Sequence, residues 1–201
     1  HRPDLSVSFN NMTNGYRFEP TRLTRGYKTG ANENYKFESL VSNVTEFSFR
    51  AVVRPQFPST TANVSNWVFQ AHVLEPYPYW QLKFVGTDDK FHFEAHDGGW
   101  KGATSPAMNF SQDEEVEIGG ALEGGYLKLY INGSNAGGTN TACGEIGVAT
   151  TGLLLGGATV NGFLIDDLEI LAKSQPAEWF AEQHAKRNQA KNLNLPFKWS
   201  G

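Results

Sequence analysis

The chain has 201 residues, of which 39% are hydrophobic, 13% aromatic and 19% charged, and its formal net charge is −4. This length and composition suffice for one all-β domain with a substantial core and leave little room for a second domain. The acidic balance argues against a nucleic-acid partner, which would normally require a basic surplus. No apolar run approaches the ~20 residues of a membrane-spanning helix, so the sequence predicts no membrane partner.

Short stretches of alternating apolar and polar residues dominate the chain as far as residue 171. Such alternation is typical of strands that bury one face. Turn-forming sequences rich in Gly, Asn and Asp separate the stretches, and this spacing favours a two-sheet sandwich or jelly roll. In chain order, the predicted strands cover residues 46–54, 67–73, 80–85, 91–96, 115–119, 126–131 and 163–171.

One helix is predicted near the end of the chain. Residues 177–190 are rich in Ala, Glu, Gln and Lys, and a serine that can cap the helix precedes them. We expect Trp179 and Phe180 to dock this helix on the body of the protein. The predicted organisation is therefore a sandwich domain of residues 1–172, followed by a helix and tail of residues 173–201 that pack on it.

Four segments in order along the chain carry a resemblance to a known fold. They are Phe47-Ser-Phe-Arg-Ala-Val-Val-Arg-Pro, Tyr126-Leu-Lys-Leu-Tyr-Ile-Asn-Gly, Leu155-Gly-Gly and Asn161-Gly-Phe-Leu-Ile-Asp-Asp-Leu-Glu-Ile. This series resembles the concanavalin A-like, laminin-G-like jelly roll over roughly residues 5–172. The resemblance implies two antiparallel sheets, of which the concave one forms a groove for a sugar chain. Because this fold serves lectins, glycoside hydrolases and polysaccharide lyases alike, function must be argued from the site.

The alternation assigns one face of each predicted strand to the core and the other to the groove. Within residues 67–73, Trp67 and Phe69 are expected in the core, whereas Gln70 and His72 face the groove. Basic, imidazole and phenol groups are prominent among the groove positions of this acidic protein. The other residues assigned to the groove are Ser48, Arg50, Val52, Arg54, Val68, Gln81, Lys83, His92, Glu94, His96, Tyr126, Lys128 and Tyr130.

This set of groups suits the β-elimination by which polysaccharide lyases cleave uronate chains. The reaction needs a neutralised substrate carboxylate, a base for the C5 proton and an acid for the leaving oxygen. We assign Arg50 and Gln70 to the carboxylate, His72 to the base, and Tyr126 or Tyr130 to the acid, with no cofactor for catalysis. An anionic polysaccharide would also be bound by Arg54, Lys83, His92, Glu94, His96 and Lys128.

The Gln70-Ala-His72 triplet is similar to the Gln-x-His element of alginate-lyase-like jelly rolls, including glucuronan-type lyases. The resemblance implies an arginine on a neighbouring strand and a late tyrosine in the same site. Arg50 matches the arginine by position. The family's late Tyr-x-Lys-x-Gly-x-Tyr strand corresponds here to Gly152-Leu-Leu-Leu-Gly-Gly, and the tyrosines at 126 and 130 stand one strand earlier.

The main alternative is a carbohydrate-binding domain without catalysis, a lectin or a laminin-G-like adhesion module. Tyr77, Tyr79 and Trp100 could stack on sugar rings at the rim of the groove. Two weaker alternatives involve the 92–96 strand. His92, Glu94 and His96 could hold a transition metal such as zinc, and Glu94 with Glu117 could form the two carboxylates of a glycoside hydrolase.

The resemblance also implies a structural Ca²⁺ on the convex side, with Asp166 as its carboxylate ligand, since Ca²⁺ prefers oxygen ligands. The location of the protein is suggested by five glycosylation acceptor motifs, more than chance provides. They begin at Asn11, Asn43, Asn63, Asn109 and Asn132. The sequence therefore predicts a secreted, extracellular glycoprotein. Its single cysteine, Cys143, excludes an internal disulfide and taken alone would favour a cytosolic protein.

Overall fold

Two antiparallel β-sheets form the body of the protein. The computed structural model describes residues 18–20, 25–28, 35–36, 45–61, 65–71, 80–146, 153–155, 162–171 and 173–192. The strands are β1 (Phe18–Pro20), β2 (Arg25–Lys28), β3 (Tyr35–Lys36), β4 (Phe47–Pro55), β5 (Ser65–Ala71), β6 (Trp80–Val85), β7 (Lys90–His96), β8 (Trp100–Thr104), β9 (Val116–Glu123), β10 (Tyr126–Ile131), β11 (Ser134–Gly138), β12 (Leu153–Leu155) and β13 (Phe163–Leu171), and the helix is α1 (Ala177–Asn192).

The strands are distributed in two groups. A seven-stranded sheet has the order β1-β2-β13-β4-β9-β10-β11, and a six-stranded sheet has the order β3-β12-β5-β6-β7-β8. The prediction of an all-β jelly-roll sandwich of two antiparallel sheets with a short C-terminal helix is confirmed. Within the described residues, no helix is long and apolar enough to cross a membrane.

The core between the sheets is built largely from aromatic rings. Phe49 of the seven-stranded sheet lies with its ring centroid 4.9 Å from that of Phe69, 6.0 Å from Trp80 and 5.0 Å from Phe93. Gly120 lies under the same ring, and a Cβ atom at that position would overlap it. The alternate apolar positions predicted for β4, β6 and β7 are thus buried, because aromatic rings from both inner faces interdigitate there.

One strand departs from simple alternation. The pairing of β5 with β6 shifts between Trp67, which pairs with Lys83, and Phe69, which pairs with Leu82. This β-bulge places an extra residue, Val68, in the core, where it is fully buried. The prediction that Trp67 lies inside and Val68 in the groove is therefore wrong, whereas Gln70 keeps its outward position opposite Gln81.

Helix α1 lies over the outer face of the seven-stranded sheet. The Phe180 ring stacks on Tyr130 at 4.0 Å and an interplanar angle of 13°. Gly119 makes this approach possible, because a Cβ atom there would lie 2.5 Å from Phe180 Cδ1. Arg187 pairs with carboxylates of the sheet and its adjoining turn, at Glu115, Asp166 and Asp167. The predicted helix and its docking through Phe180 are confirmed.

Strands β8 and β11, which end their respective sheets, lie against each other. A Cβ atom on Gly137 of β11 would overlap the carbonyl oxygen of Thr104 in β8. Only glycine permits this approach, so the two sheets are closed along this side of the sandwich.

Candidate functional site

The predicted site residues are divided between the two sheets. Gln70 lies on β5 of the six-stranded sheet, whereas Arg50 lies on β4 of the seven-stranded sheet. Since the outer faces of a sandwich point away from each other, the prediction of one groove containing both residues is wrong. Arg54, Tyr126, Lys128 and Tyr130 are on the sheet of Arg50, and Lys83, His92, Glu94 and His96 are on the sheet of Gln70. His72, Tyr77 and Tyr79 lie outside the described residues.

Arg50 is part of a buried ion pair. Its Nε donates to Glu117 Oε1 at 2.7 Å and its Nη2 to Glu117 Oε2 at 2.8 Å. His184 of α1 places Nδ1 3.3 Å from Glu117 Oε2, and Arg50 has no exposed surface. Tyr130 is covered by Phe180 and is 1% exposed. The expectations that Arg50 neutralises a substrate carboxylate and that Tyr130 protonates a leaving group are therefore corrected: α1 covers both side chains. Glu117 is likewise unavailable as a hydrolase carboxylate.

The other cations predicted to attract an anionic chain are also paired. Lys83 Nζ lies 2.9 Å from Glu94 Oε2. Arg54 Nη2 lies 3.6 Å from Glu115 Oε2, and Lys128 forms an ion pair with Glu123. Each positive charge is thus opposed by a carboxylate of the protein itself, which weakens its attraction for an anionic ligand.

Five of the predicted site residues share the outer face of the six-stranded sheet: Gln70, Lys83, His92, Glu94 and His96. We define the β5–β8 face by its outward positions, which the strand register arranges in three rows. One row runs Trp67, Lys83, His92 and Thr104; the next runs Gln70, Gln81, Glu94 and Gly102; the third pairs His96 with Trp100.

Glu94 is the centre of the hydrogen-bond network on the β5–β8 face. Trp67 Nε1 donates to Gln81 Oε1 at 3.0 Å, and Gln81 Nε2 donates to Glu94 Oε2 at 2.5 Å. Lys83 and His92 also contact the Glu94 carboxylate. Although burial raises the pKa of Glu94, hydrogen bonds from His92, Lys83 and Gln81 outweigh it and hold the pKa at about 2. The carboxylate is therefore ionised at any physiological pH and fixed in place.

Gly102 occupies the outward position of β8 beside Glu94 and contributes no side chain there; we call this gap the depression. The outward residues of β8 are Trp100, Gly102 and Thr104, and all three are exposed. A Cβ atom on Gly102 would lie 3.4 Å from Glu94 Cγ, an ordinary contact. The Trp100 side chain, 44% exposed, lies two residues along β8 from the depression and packs edge-on against His96 with ring centroids 5.3 Å apart. Sequence reasoning missed Gly102, although its spacing of two from Trp100 gives it the same face.

His92 lies between two carboxylates. Its Nε2 is 2.9 Å from Asp88 Oδ2 and its Nδ1 is 3.5 Å from Glu94 Oε1. The hydrogen bond with Glu94 is the largest influence on the pKa of His92 and raises it; burial opposes this, and Asp88 adds to it. When the ring is protonated, its two N–H groups face Asp88 and Glu94, so the imidazolium links the turn at Asp88 to the hydrogen-bond network of Glu94.

We expect His92→Gln to destabilise the protein more at about pH 5.5 than at about pH 8.5. Because the folded pKa is raised, the contribution of the protonated ring is fully present below the unfolded value of about 6.5 and is lost as pH rises through the folded pKa. Denaturant unfolding of both proteins at the two pH values measures the difference. An NMR titration that placed the His92 pKa below about 6.5 would contradict the prediction.

The described contacts weigh against the predicted metal sites. No group of three or more His, Cys, Asp or Glu among the residues with described positions could hold a metal ion, which removes the zinc alternative at His92, Glu94 and His96. Asp166 Oδ2 lies 3.4 Å from Arg187 Nη2, and Asp167 accepts a hydrogen bond from the same guanidinium. Arg187 thus already supplies a positive charge at Asp166, and the Ca²⁺ stays a prediction.

Two of the glycosylation motifs fall on described residues. Asn109 and Asn132 are both exposed, but Asn132 Oδ1 accepts a hydrogen bond from the backbone N–H of Glu117 at 3.0 Å. Asn11, Asn43 and Asn63 lie outside the described residues. Glycosylation and secretion stay predictions.

The two-sheet β-sandwich of this chain recurs in several solved structures. No family model matches the chain, and no curated protein matches its sequence. Among solved structures, the botulinum neurotoxin serotype G binding domain superposes with a TM-score of 0.71 at 14% identity, covering 90% of this chain and 46% of that one. A botulinum neurotoxin type C structure, described as dependent on two ganglioside molecules for cell entry, gives 0.60 at 13%, covering 85% and 44%.

A third similar structure is an enzyme. The Trypanosoma rangeli sialidase in complex with the inhibitor DANA gives a TM-score of 0.57 at 8% identity, covering 84% of this chain and 28% of that one. At such identities the likeness shows the fold alone. The chain spans about half the length of the neurotoxin binding domains and less of the sialidase.

Proposed function

We propose that the protein is a non-catalytic glycan-binding domain that holds a sugar through the β5–β8 face. The observation that carries the proposal is the depression at Gly102, which lies beside the Glu94 side chain and two residues along β8 from the exposed Trp100 ring. A sugar ring offers an apolar C–H face and several hydroxyl groups. Sites that recognise such ligands combine an aromatic surface with a few convergent polar groups.

The polar groups around the depression are held in place before a ligand arrives. Glu94 can accept hydrogen bonds from hydroxyl groups, and the Gln81 and Lys83 contacts fix its orientation. Groups that are already ordered lose little conformational entropy on binding, so a shallow site can still bind usefully. His96, which packs against Trp100, limits the rotation of the indole ring.

The neurotoxin neighbours support a glycan partner. One is described by its dependence on two ganglioside molecules, and another was solved as a binding domain in complex with SialylT. Each matches this chain over about 44% of its own length, so the shared part is the sandwich and not the whole domain. These structures support only the class of ligand, a glycan, and no binding residue is inferred from them.

The charge balance of the site favours a neutral glycan over the anionic polysaccharide predicted from sequence. Lys83 and His92 both contact the Glu94 carboxylate. A carboxylate-bearing sugar would have to compete with Glu94 for them. Neutral hydroxyl groups can hydrogen-bond the network without displacing any of its ion pairs.

The contacts of Arg50 argue against the lyase. Elimination requires a group that neutralises the substrate carboxylate beside the base, and the arginine assigned to this role is enclosed with Glu117 on the other sheet. We also infer that the protein is extracellular, a proposal that rests on the five acceptor motifs.

A glycan array that contains neutral, sialylated and uronate oligosaccharides tests the function, followed by calorimetry with the best ligand. Trp100→Ala should weaken binding by roughly tenfold or more, about 1.4 kcal/mol, because it removes the aromatic surface. Trp100→Phe should retain part of the affinity, and Gly102→Val should reduce it by filling the depression.

Three outcomes would overturn the proposal. The first is an array with no bound glycan, and the second is unchanged affinity in both Trp100→Ala and Gly102→Val. The third is a rise in ultraviolet absorbance from unsaturated product when the protein is mixed with a uronate polymer, since that would restore the lyase.

A further inference from the structure

The seven-stranded sheet has a hollow of its own, away from the β5–β8 face. It has a volume of about 450 Å³ and lies at the sheet edge formed by β9, β10 and β11. This volume is within the range of ordinary ligand pockets, about 300–1,000 Å³. Its polar and aromatic lining comes from Glu123, Tyr126, Lys128, Asn135 and Thr139.

Glycines create the hollow. Gly124 and Gly125 form the β9–β10 turn with φ of 56° and 81°, a left-handed geometry that brings Glu123 directly opposite Tyr126. On β11, Gly138 pairs with Lys128 and presents no side chain beside it. Space is therefore left over the outer surface of β10.

The Tyr126 ring forms an open wall of this hollow. It is 45% exposed, and among the described residues it and Trp100 are the two large apolar side chains that are exposed. One lies on each sheet. Leu127 and Leu129 point to the opposite face of β10 and are fully buried. They anchor the strand that carries Tyr126 in the core.

The polar groups that line the hollow include an ion pair without net charge, and several of them can still hydrogen-bond to a ligand. Lys128 and Glu123 form an ion pair whose side chains are 37% and 36% exposed. Thr139 Oγ1 accepts a hydrogen bond from the backbone N–H of Leu127, which leaves its hydroxyl hydrogen to donate. Asn135 is exposed and offers both an amide donor and an acceptor.

We propose that this hollow is a second ligand site, and that it takes one unit of a neutral saccharide stacked on Tyr126. The ion pair has no net charge, so it favours a ligand whose hydroxyl groups can bond to both Glu123 and Lys128. The ring supplies the apolar surface for the C–H face of the sugar. Because the two sites lie on opposite sheets, one molecule would contact two glycan chains.

Titration of the ¹⁵N-labelled chain with glucose, galactose, mannose, N-acetylglucosamine and lactose tests the site residue by residue. At least one sugar should shift the amide signals of Gly124, Gly125 and Gly138. Tyr126→Ala should abolish these shifts, and Gly138→Val should abolish those of Gly124 and Gly125, whereas Tyr126→Phe should retain all three, since the stacking surface is kept.

Trp100→Ala is the matched control from the other sheet and should leave the shifts around Tyr126 unchanged. The second site is overturned if none of the sugars shifts these amides, or if the shifts survive in a folded Tyr126→Ala protein. Failure of the β5–β8 proposal is separately visible, because it concerns the signals of Gly102 and His96 and their response to Trp100→Ala.

Discussion

Replacement of Arg50 by methionine is expected to lower the free energy of unfolding by roughly 3–5 kcal/mol. The variant keeps most of the side-chain volume and removes the charge. Glu117, whose side chain is 5% exposed, would then lose its two charge-assisted hydrogen bonds under α1. Leaving one partner of a buried pair uncompensated is among the most destabilising changes a single substitution can make. Denaturant unfolding followed by circular dichroism measures the loss.

The double variant Arg50→Met with Glu117→Met separates the ion pair from packing. Removing both charges should recover most of the stability lost in the single variant, because no buried charge is then left alone. If Arg50→Met alone were as stable as the wild type, Arg50 would not be the structural residue that its contacts with Glu117 indicate. A role in binding a substrate carboxylate would then be open again.

Arg187→Met should lower the free energy of unfolding by a similar amount, roughly 3–5 kcal/mol. The guanidinium is 1% exposed and contacts carboxylates at Glu115, Asp166 and Asp167. Although burial raises the pKa of Glu115, hydrogen bonds from Arg187 and Lys191 hold it at about 2. Without the arginine, three acidic groups would face one another at the end of α1, and the helix would lose its main polar attachment to the sheet.

Lys186→Met provides the control on the same helix. Lys186 is 40% exposed and pairs with Glu182 at 2.7 Å, so its loss should change stability by no more than about 0.5 kcal/mol. Equal effects of the two substitutions would show that α1 is not held by the buried arginine.

The fold could be predicted from the sequence because alternation in β4, β6 and β7 identifies the core with little ambiguity. The same alternation could not say to which sheet a strand belongs. Both sheets of a sandwich are polar outside, so Arg50 and Gln70 follow identical patterns on opposite surfaces. Only the order of pairing separates them, and pairing depends on contacts between residues far apart in sequence.

The site was partly predictable for related reasons. Lys83, His92 and Glu94 share a face as predicted, because β6 and β7 are adjacent and regular. The outward position of Trp67 was missed because the β-bulge in β5 moves its side chain from the core face to the outer face. The segment contains no glycine that would have indicated a bulge in the sequence. The covering of Tyr130 was missed because a helix with few apolar residues gives no sign of which surface it occupies.

The contact between β8 and β11 bears on how the protein behaves at high concentration. A terminal strand with free N–H and C=O groups is a template for another chain, and proteins usually guard it with charges or prolines. Here the approach of Gly137 to the Thr104 carbonyl leaves no gap for a foreign strand at that point. We therefore expect a bulky residue at 137 to promote aggregation by parting the sheets, even where the aromatic core stays intact.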